Sequence, residues 1–366
     1  MKDSQYTMKR PKKFKNIFHK TKGLPVKTVK KTITQEGLST SSSFFNNKKI
    51  YLGVLLIVPL LLVCALAVIY TLNMQLSQNI KAQNLRALNY TVELSPYPLL
   101  DNLTPPQTSA QSAIITDADS QITLYSKNPD LRLSTASTAK IMTALVGMDF
   151  YQPNSVLTIL TPQIEGSNIG FLQGEQFSFK DLLLAMFLPS SNEAAYAVAQ
   201  NYPGGMEAFV SKMNEKARDL NLTNTHFYDP AGLDDDNNYT TVSDLAKLAS
   251  LVLKNKTLTQ IVATKQATIS DIRSYKQFKL ENLNKLLGID GVNGIKTGTT
   301  EAAGEVLVTS KVENGHTFII VVMKSSNRFG DTKTLMSLIS NNIRYITPQL
   351  PESYSSTQNT LSYQKN

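Results

Sequence analysis

The chain's 366 residues carry 37 Lys/Arg against 28 Asp/Glu, a formal net charge of +9, with 42% hydrophobic and 18% charged residues. That composition excludes a wholly disordered chain and suits one large folded domain or two smaller ones. The basic excess is local: residues 1–49 hold 13 Lys/Arg and 2 Asp/Glu (net +11) and the rest hold 24 and 26 (net −2), which excludes nucleic acid as the expected partner.

Residues 1–49 are rich in Lys, Ser, Thr and Asn without hydrophobic period, and read as a basic, disordered tail. The uncharged run Ile50–Leu72 follows. In helical form it would reach roughly 35 Å, enough to cross a hydrocarbon core of about 30 Å. A cleaved signal peptide has a shorter apolar core, of about 7–15 residues. Ala65-Leu66-Ala67 resembles a cleavage site, but more apolar sequence follows it. Residues 50–72 are therefore predicted to be an uncleaved transmembrane helix. Lys48 and Lys49 at its border place the tail in the cytoplasm and the remainder outside the plasma membrane.

The single cysteine, Cys64, lies inside the apolar run, so the exported part has no thiol for a disulfide or a metal. The three histidines, His19, His226 and His316, show no metal-binding spacing. Neither a metal nor a cofactor is expected.

Residues 73–112 are predicted to be an extracellular spacer. Its first part prolongs the helix to about residue 92, and Pro96, Pro98, Pro105 and Pro106 then break it. A folded domain is expected over 113–346, followed by a polar tail over 347–366. Residues 113–128 read as two strands around a turn at Asp117–Ser120. Helices are predicted at Ser137–Phe150, Phe179–Leu188, Glu193–Asn201, Met206–Leu220 and Asp244–Leu253. GEVLVTSKV and HTFIIVVMKS form the clearest strand pair, joined by Glu313-Asn314-Gly315. An amphipathic helix over Asp331–Tyr345 closes the domain. Strands, then many helices, then strands and a helix predict an antiparallel sheet flanked by helices, an α/β chain of the α+β type.

Three short motifs carry the chemistry. In Ser137-Thr138-Ala139-Lys140 a helix brings hydroxyl and amine to one face. Lysine can accept the serine proton if burial or a nearby cation lowers its pKa from about 10.4. Ser190-Ser191-Asn192, ahead of a helix, can present a second hydroxyl and a carboxamide. Lys296-Thr297-Gly298 precedes a strand and offers a charge, a hydroxyl and a close backbone approach. Each has a bland reading alone: a capped helix, a loop, a turn. Decoys exist too, since Ser362–Lys365 repeats the first spacing, and Ser325-Ser326-Asn327 and Ser340-Asn341-Asn342 repeat the second. The ordered set of all three within one domain is far more specific. It is the signature of class A β-lactamases and penicillin-binding proteins.

With its neighbouring residues the domain resembles the D-alanyl-D-alanine carboxypeptidases, the low-molecular-weight penicillin-binding proteins of serine peptidase family S11. The resemblance rests on Ala136–Ala144, on Leu188–Ala195, on His226–Leu233 and on Gly294–Thr300, and covers about residues 113–346. It implies the β-lactamase/penicillin-binding-protein-like transpeptidase fold, with a helical subdomain. The implied nucleophile is Ser137, with Lys140 as general base and Ser190 relaying the proton. It further implies that Asn192 holds the substrate amide and that the backbone N–H groups of Ser137 and Thr299 form the oxyanion hole. Lys296 and Thr297 would bind the terminal carboxylate, with Gly298 beside them. Expected partners are peptidoglycan stem peptides ending in D-Ala-D-Ala, β-lactams as covalent inhibitors, and the plasma membrane.

Thr135 stands where relatives often have Pro, and Thr299 where they often have His or Tyr, a difference that bears on substrate preference. Many relatives carry a C-terminal β-domain and an amphipathic anchor; neither is expected here, which leaves anchoring to the N-terminal span. A class A β-lactamase would need a Glu in an ExxLN segment, but Ala217 occupies that position ahead of Leu220-Asn221. The remaining alternatives are a D,D-endopeptidase or transpeptidase on the same scaffold, and an inactive cell-wall-binding protein.

Overall fold

The computed structural model describes residues 47–87, 96–101, 104–340 and 342–347. Of the basic tail expected over 1–49, residues 47–49 are described and lie in a helix, and the rest falls outside the described residues, as does all but the first residue of the polar tail expected over 347–366. The chain divides into two compact units, Met1–Thr91 and Val92–Asn366.

In the first unit a single helix, α1 (Asn47–Ala87), contains the whole expected span and runs beyond it. Pro59 lies inside this helix. Its stretch Pro59–Lys81 has a mean hydropathy of 1.9 and none of it is buried, so it is long and apolar enough to cross a membrane.

The second unit begins with β1 (Tyr97–Leu100), β2 (Ser112–Asp117), β3 (Thr123–Lys127) and β4 (Leu133–Ser134). A helical segment follows: α2 (Ala139–Phe150), the ribbon β5 (Val156–Thr158) and β6 (Gln176–Ser178), then α3 (Phe179–Phe187), α4 (Asn192–Gln200) and α5 (Gly205–Asp219). Next come β7 (Tyr239–Thr240), α6 (Val242–Lys254), α7 (Lys256–Val262), β8 (Gln266–Ser270) and β9 (Gln277–Glu281). The chain closes with β10 (Val292–Thr300), β11 (Gly304–Glu313), β12 (His316–Ser325), α8 (Arg328–Ile339) and β13 (Ile343–Ile346).

Five strands form the main antiparallel sheet in the order β10-β11-β12-β2-β3, which leaves β10 on an edge. Side chains alternate between the faces of a strand. Ile319, Val321 and Met323 accordingly join the core with α2 to α7, while Phe318, Ile320 and Val322 pack with Leu335, Met336 and Ile339 of α8. A strand buried on both faces reads as a continuous apolar run, which is why FIIVVM shows no polar alternation. The helices start where side chains satisfy free backbone donors: Ser178, Ser191, Thr241 and Asn255 each accept from an N–H of the first turn.

Two expectations change. Residues 97–100, expected in the spacer, form β1 and pair with β13, with Tyr97 opposite Ile346. Helix α8 stops at Ile339, and Ile343 to Tyr345, expected within a helix over Asp331–Tyr345, belong to the strand Ile343–Ile346. Ile343, Tyr345 and Ile346, β-branched or aromatic, favour that strand once β1 is beside it, and Tyr345 Oη donates to Asp117 at 2.6 Å.

Candidate active site

Ser137 lies on one turn of 3-10 helix, Ala136–Thr138, directly ahead of α2. The turn is tight, with Ala136 at φ +45°, a conformation L-residues rarely adopt. Two glycines make room for it. A Cβ on Gly232, at φ +85°, would stand 1.7 Å from Ala136 O. A Cβ on Gly298 would meet Ala136 Cβ at 2.9 Å and Ser137 N at 3.2 Å, so edge strand β10 runs directly against the serine turn.

One helical turn on, Lys140 is fully buried. Its Nζ has three neighbours: Ser137 Oγ at 2.9 Å, Asn192 Oδ1 at 2.6 Å and Ala231 O at 3.0 Å. The amide and backbone oxygens can only accept, whereas a serine hydroxyl can donate. A neutral amine fits this set: two N–H bonds go to Asn192 and Ala231, and the lone pair faces the Ser137 hydroxyl. Burial pushes Lys140 down to about 7, opposed by the charge of nearby Asp229. The Asp229 carboxyl is itself raised by burial, although it accepts from the N–H groups of Ala231, Gly232 and Leu233. These bonds shape the turn that presents Ala231 O to the lysine.

Ser190 sits at φ +67°, and its Oγ accepts from Lys296 Nζ at 2.9 Å. Among the described residues it makes no hydrogen bond to Lys140, and Lys296 is its partner instead. Lys296 is 1% exposed and also donates to Thr297 O at 2.8 Å. Burial holds its amine well below the usual lysine range, helped by the charges of Lys140 and Arg328.

Gly298 O accepts from Arg328 Nη1 at 2.8 Å. In a trans peptide the C=O and the following N–H point opposite ways, and in a strand residues two apart point to the same edge. Thr299 N–H therefore leaves β10 on the edge that carries Thr297 O, where Lys296 and Ser190 lie. The structure thus brings Ser137, Lys140, Ser190, Asn192, Lys296, Thr297, Gly298 and Thr299 into one cluster.

The model of the D-alanyl-D-alanine carboxypeptidase family, peptidase S11, matches residues 101–327. The chain belongs to this family. Similar relatives include a D-alanyl-D-alanine carboxypeptidase of Bacillus subtilis, 34% identical, where the match covers 59% of this chain and 58% of the relative. A D-alanyl-D-alanine endopeptidase of Escherichia coli is 35% identical over 61% of this chain and 74% of its own length. The crystal structure of the Streptomyces K15 DD-transpeptidase superimposes with a TM-score of 0.60 at 32% identity, covering 64% of this chain and 98% of that one. The penicillin-binding-protein-like fold follows from the same likeness.

Within the family's cleft two residues behave differently from expectation. Lys296, expected to meet the terminal carboxylate, is buried against Ser190. The half-buried cation on the rim is Arg328, which also donates to Thr299 Oγ1 and whose Nε is buried without a partner. The strand pairing held a clue to it. Thr299 pairs with Glu305 and Glu305 with Ser325, so a residue just past β12 must lie beside the third motif. Asn192 is also more occupied than expected, since its Nδ2 donates to Glu165 O at 2.5 Å. A second N–H on that nitrogen is left for a substrate carbonyl.

Proposed function

We propose that this family member is a membrane-tethered serine D,D-carboxypeptidase that removes the terminal D-alanine from peptidoglycan stem peptides. The observation that carries the reading is the Lys140 amine, buried so that its lone pair can meet Ser137 Oγ. Ser137 Oγ attacks the carbonyl carbon between the last two D-alanines, and its proton passes to Lys140 Nζ. The N–H groups of Ser137 and Thr299 hold the oxyanion, an effect worth roughly 3–4 kcal/mol per donor. The proton then moves to the leaving nitrogen by way of Lys140 and Ser190, and D-alanine departs. Water attacks the resulting ester and frees the shortened peptide. Asn192 accepts from Lys140 and offers its remaining N–H to the substrate amide.

A carboxypeptidase must recognise a free carboxylate. The half-buried Arg328 guanidinium and the Thr297 hydroxyl suit that task better than Lys296, whose amine is buried against Ser190. β-Lactams would acylate the same serine. Helix α1 supports a single-pass bacterial membrane protein with its N-terminus in the cytoplasm and the catalytic unit outside.

An endopeptidase activity on cross-linked peptides is the second reading, favoured by relatives of equal identity that carry that name. Incubation with a diacyl-Lys-D-Ala-D-Ala peptide and with cross-linked muropeptides separates the two. Release of D-alanine from the first substrate, with dimers left intact, supports the carboxypeptidase. Cleavage of dimers without D-alanine release overturns it.

A further inference from the structure

The side chain next to the second motif has no part in the chemistry above. Glu193 is 1% exposed, yet among the described residues its carboxylate accepts only from backbone N–H groups and a hydroxyl. Its Oε2 accepts from Ile169 N–H at 2.8 Å and from Ser191 Oγ at 3.2 Å, and its Oε1 accepts from Phe171 N–H at 3.1 Å. Asn192 completes the pattern: its N–H donates to Ser167 O at 2.7 Å and its Nδ2 to Glu165 O. Every second residue from 165 to 171 is thus pinned by its backbone to the first turn of α4. The intervening Gly166, Asn168 and Gly170 are exposed.

This strap decides which way the Asn192 carboxamide faces. The two ends of an amide have nearly the same shape, so hydrogen-bond partners alone select its orientation. Glu165 O can only accept and therefore takes Nδ2, which turns Oδ1 towards Lys140. With the carbonyl gone, the amide could flip and set an N–H against the lysine amine, which then loses one acceptor.

We propose that Glu193 is a positioning residue. Its buried carboxylate locks the 165–171 strap, and the strap locks Asn192 in the orientation that Lys140 needs. The inference rests on the reading of Ser137 and Lys140 as the acylating pair. Glu193→Gln keeps the volume but turns a donor towards one of the two strap N–H groups. Losing a hydrogen bond to a charged group corresponds to roughly tenfold or more in rate.

The test follows acylation of the full-length protein by a fluorescent penicillin in wild type, Glu193→Gln, Asn192→Ala and the double variant. Expected is acylation about tenfold or more slower in Glu193→Gln, faster proteolytic cutting within 165–171, and little further loss when Asn192 is already Ala. An unchanged acylation rate in Glu193→Gln overturns the proposal. So does a loss of the same size in the Asn192→Ala background, which would mean that Glu193 does not act through Asn192. If Glu193→Gln does not fold, Ile169→Pro removes one strap donor and carries the same test. A wild-type chain that is not labelled at all would instead overturn the acylating pair.

Discussion

Lys140 turns a buried charge into a pH-dependent activity. In the proposed mechanism its amine acts as the base only when neutral, and burial brings its pKa to about 7. Acylation should therefore be slow in acid, rise as pH passes through about 7 and level off above. Asp229 raises that pKa, so Asp229→Asn should move the acidic limb to lower pH; a limb that stays in place would exclude the electrostatic coupling. The sign for stability agrees. The unfolded lysine binds its proton up to about 10.4, so between that value and about 7 the unfolded state holds more protons and stability rises with pH. Arg328 allows a second test. Arg328→Ala should lower kcat/KM about 10- to 150-fold for a peptide with a free C-terminal carboxylate, the cost of one charge-assisted hydrogen bond. A C-terminally amidated peptide should lose much less. Equal losses for both would remove Arg328 from carboxylate recognition.

The serine turn is held by elements that approach it as bare backbone. Gly232→Ala would force a Cβ to 1.7 Å from Ala136 O at a φ of +85°, and should cost about 2 kcal/mol or more. Thermal unfolding measures this, and an unchanged midpoint would mean that the turn yields freely. The three motifs were legible in the sequence because each is local and keeps its spacing wherever the chain goes. The β11–β12 hairpin was legible too, because a short turn joins two apolar runs. What escaped were contacts between distant residues. β1 and β13 pair across almost the whole second unit, and each is too short to announce itself. Arg328 follows a decoy Ser325-Ser326-Asn327, and only the register of three strands brings it to Thr299. Asp229 and Glu193 lie inside recognised blocks, but their roles depend on backbone groups that carry no side-chain signature.

At the scale of the whole molecule, an apolar helix precedes a unit in which Ser137, the proposed nucleophile, is set between α2 and an edge strand. The charge split and α1 predict that protease added to wall-less cells digests the catalytic unit and spares the tail before residue 50. A soluble catalytic unit released with a new N-terminus near Val68 would instead indicate cleavage within the helix. The most direct test of the central claim is the site of the penicillin adduct, read by mass spectrometry of a digest. The expected result is one acylated peptide, with the adduct on Ser137, lost in Ser137→Ala and unaffected by Ser362→Ala. An adduct on any other residue, or labelling that survives Ser137→Ala, would contradict it.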